Sequence, residues 1–231
     1  MKQRLDKLML ARGLVGSRSE AENWIRLGRV RVGGRVVAKP GLFVDESAPI
    51  ELAASERYVS RAGLKLAGAA KTFNLNFRTG GFTDFALQHG AKKVYAVDVG
   101  TDQLHPSLRG NKRIELHEKT DIRDFVPSEI PDIVVIDVSF ISLRQILPHV
   151  AKIVDKNTTI VAMVKPQFEA QRQQLTRGGV VKNDGVRRVI LREFEQWARA
   201  NFIIIDKADS EVKGAHGNLE RFYILRKAGS C

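Results

Sequence analysis

Residues 132–140 read DIVVIDVSF. Four apolar residues in a row, Ile133 to Ile136, run into an aspartate. A strand with one wet face alternates apolar and polar side chains; this run does not, so it reads as a strand covered on both faces. VYAVDVG (94–100), TIVAMVKPQF (159–168), NFIIIDKAD (201–209) and LERFYILRK (219–227) have the same character, and RIELH (113–117) is a further short candidate. Between them lie candidate helices at 83–89, 142–152 and 186–200. In the last, Val189, Ile190, Phe194, Trp197 and Ala198 recur at helical spacing, and Phe194 and Trp197 are assigned to the core. Such alternation predicts an α/β fold with a doubly wound, mostly parallel sheet, whose ligands sit beyond the carboxyl ends of the strands.

Charges collect at those ends. Asp98 follows VYAV, Asp137 follows VVI, and Lys165 follows VAMV. One such residue is commonly a local cap; three on strands of one sheet face a common crevice. Asp98 ends a strand where a carboxylate can accept both hydroxyls of a ribose. Spacing alone does not separate a nicotinamide cofactor from an adenosyl one. Asp121, in KTDIRDF, is placed to contact an adenine amino group, or is a surface acid with no role.

The glycine loop is anomalous. NFRTGGFTD (76–84) supplies Gly80 and Gly81 as a cofactor loop, and such a loop should hang from a buried strand. Here NLNFR precedes it instead.

Residues 1–55 form a separate unit. Leu5, Leu8 and Met9 mark a first helix ending near Gly13. Ser17 with Glu20 is a capping-box signature, and Ala21, Trp24 and Ile25 give the second helix its stripe, closed by Gly28. VRVGGRVVAKPG (30–41) reads as a hairpin turning at Gly33-Gly34, and IELAA as a further strand. Two short helices feeding a basic hairpin make a plausible RNA-binding surface; a solvated face on a protein–protein adaptor has the same composition. Residues 56–62 are a short linker, and 63–231 form the second domain.

The whole chain of 231 residues carries 38 Lys+Arg against 26 Asp+Glu, a formal net charge of +12. That balance favours polyanion partners. The single cysteine, Cys231, excludes a disulfide framework within one chain, and no apolar run is long enough for a membrane span. The five histidines show neither HExxH nor an acidic cluster at ligand spacing, so no metal is expected. These features predict a soluble cytoplasmic protein.

RLDKLMLARGLVGSRSEAENWIRLGRVRVGGRVVAKPG (4–41) resembles the S4 RNA-binding domain. The resemblance implies that Arg4, Arg12, Ser17, Arg18, Arg26 and Lys39 lie on or near a face that grips structured RNA, mainly through phosphates and shape. GLKL (63–66), TGGFTD (79–84), VYAVDVG, VIDVSFISL (135–143), VKPQFE (164–169), GGVV (178–181) and GNLERF (217–222) resemble the TlyA-type, hemolysin-like ribosomal RNA methyltransferases. Their second domain is similar to the heat-shock RNA methyltransferases that act on ribose 2′-hydroxyls. The resemblance implies a Rossmann-like methyltransferase sheet, S-adenosylmethionine as cofactor and ribosomal RNA or a ribosomal subunit as partner. It also implies a Lys-Asp-Lys-Glu tetrad at Lys65, Asp137, Lys165 and Glu220, with Arg177 and Lys182 on substrate-side loops near phosphates. In the last motif Arg221 stands where an apolar residue is expected after the acid.

Methyl transfer needs the 2′-oxygen in line behind the methyl carbon, and its proton must leave as attack proceeds. Lys165 is the candidate base and must present a neutral amine; desolvation and Lys65 favour that form, Asp137 and Glu220 oppose it. Lys65 and Glu220 are assigned to holding the ribose and organising charge, and Asp137 to orienting Lys165. Positioning is expected to contribute more than proton removal.

The rivals are a catalytically inactive RNA-binding protein, a hemolysin-like factor, for which no lytic stretch is evident, and, more weakly, a nicotinamide oxidoreductase. In the family, the glycine loop is preceded by a strand and an acid-glycine pair that read like VALDIGSS. Here Phe77-Arg78 runs straight into Thr79. Either the chain is a remnant that cannot bind the cofactor normally, or a stretch is omitted between 76 and 80. The intact state of every other motif favours omission.

Overall fold

The computed structural model describes residues 2–15, 18–26, 28–52, 65–66, 69–70, 73, 83–211, 214 and 217–229. The chain divides into two compact units, Met1–Arg61 and Ala62–Cys231.

In the first unit, β1 (Lys2–Arg4) pairs antiparallel with β4 (Phe43–Asp45). This ribbon lacks any apolar alternation long enough to mark it in the sequence. Helices α1 (Leu5–Ala11) and α2 (Arg18–Arg26) follow β1. They bury Leu5, Leu8 and Met9 against Ala21, Trp24 and Ile25, the apolar positions that the helical spacing predicts. Gly28, at φ +66°, closes α2: its N–H donates to the Ile25 carbonyl at 2.9 Å and that of Arg29 to Trp24 at 3.1 Å, the paired bonds of a left-handed helix cap. The Ser17 capping box lies outside the described residues. β2 (Val30–Val32) and β3 (Arg35–Val37) form the predicted hairpin, with Gly33 and Gly34 both at positive φ, as a two-residue turn of this hand requires. β5 (Ile50–Leu52) adds to the other side of β2, giving the order β3-β2-β5.

The second unit has the Rossmann-like α/β layering. Its described elements are α3 (Thr83–Gln88), β6 (Val94–Val97), β7 (Ile114–His117), β8 (Ile133–Ile136), α4 (Leu143–Ile153), β9 (Thr159–Val164), α5 (Pro166–Glu169), α6 (Asp184–Ala198), β10 (Phe202–Asp209) and β11 (Arg221–Lys227). β9 is covered on both faces: Ile160, Val161, Ala162, Met163 and Val164 are all fully buried. Leu143, Ile146, Leu147 and Val150 of α4 and Leu191, Phe194 and Ala198 of α6 pack with Ile160, Ala162, Val164, Tyr223 and Leu225 in one core, with Trp197 half-buried at its margin. Val189, counted in the apolar stripe of α6, is instead 45% exposed; the stripe turns past it at 3.6 residues per turn.

The pairing is parallel at β6/β7 and β8/β9, and antiparallel at β9/β11 and β11/β10, in the order β10-β11-β9-β8. The sheet is therefore mixed at its C-terminal side. The connection between β10 and β11 is too short for the crossover a parallel pair needs, so the two strands fold as a hairpin, and β11 inserts between β10 and β9.

Among the described residues, no strand joins β8 to β6; β6 and β7 form a sheet of their own. This is the position that the strand before the glycine loop would fill. Residues 74–82, Gly80 and Gly81 among them, lie outside the described residues.

Candidate active site

The sheet register brings three of the four predicted catalytic residues to one end. Ile136 pairs with Ala162 and Val164 pairs with Arg221. Asp137 thus leaves β8, Lys165 leaves β9, and Glu220 enters the antiparallel β11, all at the same rim. Lys65 joins them from a helical stretch, its ammonium bonded to the Glu220 carboxylate. The tetrad is assembled as two ion pairs. In the first, Lys65 and Glu220 are 9% and 3% exposed. In the second, Lys165 Nζ lies 2.7 Å from Asp137 Oδ1, with side chains 11% and 21% exposed.

Lys165 Nζ also donates to Ser139 Oγ at 2.7 Å. Asp137 Oδ1 is buried, with the Lys165 ammonium as its counter-charge.

Glu220 is fixed from both sides. The Arg187 guanidinium donates to the Leu219 carbonyl at 2.9 Å and pairs with Asp209, which also accepts from Arg221 Nε at 2.6 Å. Arg221, the residue that breaks the expected motif, is thus the cross-strand partner of Asp209 on β10. Burial pushes the Asp209 carboxyl up, but Arg221 and Arg187 outweigh it and hold it below the usual carboxylate range. A side chain at Gly214 would put its Cβ 2.8 Å from Glu220 Oε1, so any other residue there must displace the carboxylate or the loop.

The loops after Asp137 and Lys165 are stapled together. Glu169, at the end of α5, accepts from Ser142 Oγ at 2.6 Å and from the Leu143 N–H at 2.7 Å, where α4 begins. Its side chain is 2% exposed, and burial raises its carboxyl above the ordinary value of 4.5 against the pull of those two bonds and Arg144. Phe140 sits on the same loop at φ +65°, 91% exposed, its ring 5.2 Å from that of Phe168. Sequence reasoning passed over Ser139, Phe140 and Glu169. The only local signal was their place within DVSF and KPQFE.

Asp98 and Asp121 form a second cluster. The Asp98 carbonyl accepts the Thr120 N–H at 3.0 Å, which sets the two loops side by side at the ends of β6 and β7. Asp98 Oδ1 accepts from the Gly100 N–H at 2.7 Å. Asp121 is held by its neighbour: Arg123 donates Nε to Oδ1 at 2.9 Å and pairs through Nη2 at 2.6 Å, lowering the carboxyl from 3.8 to about 2. The carboxylates of Asp98 and Asp137, at the ends of β6 and β8, are of the type that fits the ribose and the positive end of S-adenosylmethionine.

Of the predicted RNA contacts, Arg177 and Lys182 are exposed on a loop tied to the catalytic strand through Asn218, which accepts from the Val181 N–H at 3.0 Å and donates to the Gly179 carbonyl at 3.2 Å. In the first unit, Arg4 and Arg18 both bind the buried Asp6. Arg12 donates to the Ala48 carbonyl at 2.7 Å, Arg26 lies 3.7 Å from Glu22, and Lys39 is exposed. Ser17 lies outside the described residues. No helix among them is long and apolar enough to cross a membrane.

Residues 58–228 match the FtsJ-like methyltransferase family and residues 3–50 the S4 domain. A 16S/23S rRNA (cytidine-2′-O)-methyltransferase TlyA of Mycobacterium tuberculosis is 36% identical over 96% of this chain and 89% of its own. Hemolysin A of Brachyspira hyodysenteriae is 37% identical over 94% of this chain and 97% of its own. A solved structure of a hemolysin-named protein from Streptococcus thermophilus superposes with a TM-score of 0.74 at 38% identity, covering 99% of this chain and 90% of that one. The alignment to the M. tuberculosis protein runs over 239 residues but takes up 96% of this chain, about 222 residues, so about 17 positions of the relative face none here. The chain belongs to the FtsJ-like methyltransferase family and carries an S4 domain ahead of its methyltransferase domain.

Proposed function

We propose that this protein methylates a ribose 2′-hydroxyl of ribosomal RNA, with Lys65, Asp137, Lys165 and Glu220 as its catalytic set. S-adenosylmethionine supplies the methyl group. The observation that carries the reading is the convergence of all four residues at one sheet rim as two ion pairs. The relative named for cytidine 2′-O-methylation supports a ribose target.

Lys165, as the neutral amine, takes the proton of the 2′-hydroxyl and becomes the ammonium that pairs with Asp137. Its bond to Ser139 holds the amine at the rim, and Asp137 keeps its carboxylate beside both Lys165 and the positive end of the methyl donor. The Lys65–Glu220 pair holds the ribose. Phe140 offers an open aromatic face on which a splayed base can stack. Asp98 and Asp121 receive the adenosyl part, Arg177 and Lys182 the phosphates near the target, and the exposed cations of residues 1–55 the structured RNA around it. A cytoplasmic site of action goes with that substrate.

The chain is read as omitting a strand between residues 76 and 80. The intact state of every other motif of the family supports this. An intact mass above 25.8 kDa is the expected result. At 25.8 kDa with no S-adenosylmethionine binding, the chain is an RNA-binding remnant. The activity is tested by transfer from labelled S-adenosylmethionine into ribosomal RNA, with the modified site mapped. Lys165→Ala should abolish incorporation while RNA binding survives; full activity in that variant refutes the assignment of the base.

A further inference from the structure

Asp6 sits in the first turn of α1, yet its side chain is fully buried. Arg4, on β1, donates Nε to Oδ1 at 3.0 Å and Nη2 to Oδ2 at 2.8 Å, a two-pronged grip. Arg18, at the start of α2, donates Nε to the same Oδ2 at 2.8 Å. The Lys7 N–H adds a bond of 3.0 Å to Oδ1. Both arginines remain open to solvent, at 35% and 47% exposure. A guanidinium has five N–H groups; Arg4 spends two on Asp6 and Arg18 one, and Arg18 Nη2 also lies 3.5 Å from Glu22. The outward edges keep donors for an anion.

We infer that Asp6 is a positioning residue for RNA, whose buried carboxylate fixes the Arg4 and Arg18 guanidiniums from two elements as one phosphate-gripping fork. The inference rests on the reading that this unit grips RNA. Its physical basis is the rotational freedom of two long side chains, which is lost on folding rather than on binding. A planar guanidinium held by its neighbour presents the rest of its fork in a set direction. Buried ion clusters contribute little net stability compared with apolar packing, so tying α2 to β1 does not by itself call for a charged residue at this position.

The test turns on a sign. Asp6→Asn raises the net charge by one, so a face that acts through charge alone binds polyanions more tightly. A positioning role predicts the reverse. The full chain is titrated with deproteinised ribosomal RNA over a range of salt, with the fluorescence of the buried Trp24 reporting that the unit is folded. Asp6→Asn is expected to weaken binding roughly tenfold, to lower the slope of log K against log salt by about 1, and to raise KM for RNA with kcat unchanged. Arg18→Ala should weaken binding in the natural chain and add little in the Asp6→Asn background. Equal or tighter binding by a folded Asp6→Asn chain overturns the inference. If Arg4→Ala and Arg18→Ala both bind RNA as the natural chain does, the RNA reading of this face fails instead. Should Asp6→Asn not fold, the double variant Arg4→Lys, Arg18→Lys keeps both charges without the fork; weaker binding supports the inference and unchanged binding overturns it.

Discussion

Removing one partner of the Lys65–Glu220 pair should damage stability and activity separately. The side chains are 9% and 3% exposed, so solvent screening is slight. Glu220→Gln leaves the ammonium buried beside a neutral amide, and Lys65→Met leaves the carboxylate without a counter-charge. Losing one partner of a buried pair costs about 3–5 kcal/mol, because the other stays buried as an uncompensated charge. For a unit of this size, 1 kcal/mol moves the midpoint by about 2–4 °C, so each single variant should melt roughly 6–20 °C lower. The double variant Lys65→Met, Glu220→Gln buries no charge there, and replacing a buried ion pair by uncharged groups of similar volume costs far less than stranding one of its charges. It should therefore recover most of the lost stability and none of the methyl transfer. Calorimetry of the four proteins, with methyl transfer assayed well below every midpoint, measures both. If each single variant costs under about 1 kcal/mol and the double is their sum, the pair is not coupled and the buried geometry drawn here is wrong.

Lys165→Ala should lower kcat by roughly 10²–10⁴-fold, the range for a removed general base, with RNA affinity unchanged; a shift in affinity alone would move Lys165 from the base to a phosphate contact. Gly214→Ala sets a Cβ against Glu220 Oε1 and should lower activity with the carboxylate still present; an unaffected rate would mean the loop yields freely. Glu169 has its folded-state carboxyl raised by burial, so its contribution to stability is complete below 4.5 and is lost as pH rises through the raised value. The stability of the natural chain minus that of Glu169→Gln should fall across that window, and a flat difference refutes the assignment.

The DVSF and KPQFE segments show how far a local pattern reaches. Unbroken apolar runs predicted β8 and β9 and the charges at their ends, because coverage of both faces forces every position of a strand to be apolar. Neither run told which way β11 would point, and that direction sets Glu220 beside Lys165. Arg221 looked like a flaw in the final motif until β10 supplied Asp209 as its partner. Arg4 and Arg18 were legible as cations on a basic face. Their shared anchor was not, because Asp6 reads in sequence as an ordinary acid in a helix's first turn.

The sequence by itself determined the two-part division, the α/β alternation and the family, and singled out the four residues of the candidate tetrad, since periodicity, turn glycines and ordered motifs are properties of short segments. Only the tertiary structure decided that the four candidate residues sit as two ion pairs, that Lys65 meets a partner 155 residues away, that Asp98 and Asp121 spend part of their bonding capacity on their own loops, and that β11 inserts between β10 and β9. Those outcomes depend on strand order and register. A charge finds its partner through the topology that brings strand ends together, and no spacing along the chain records it.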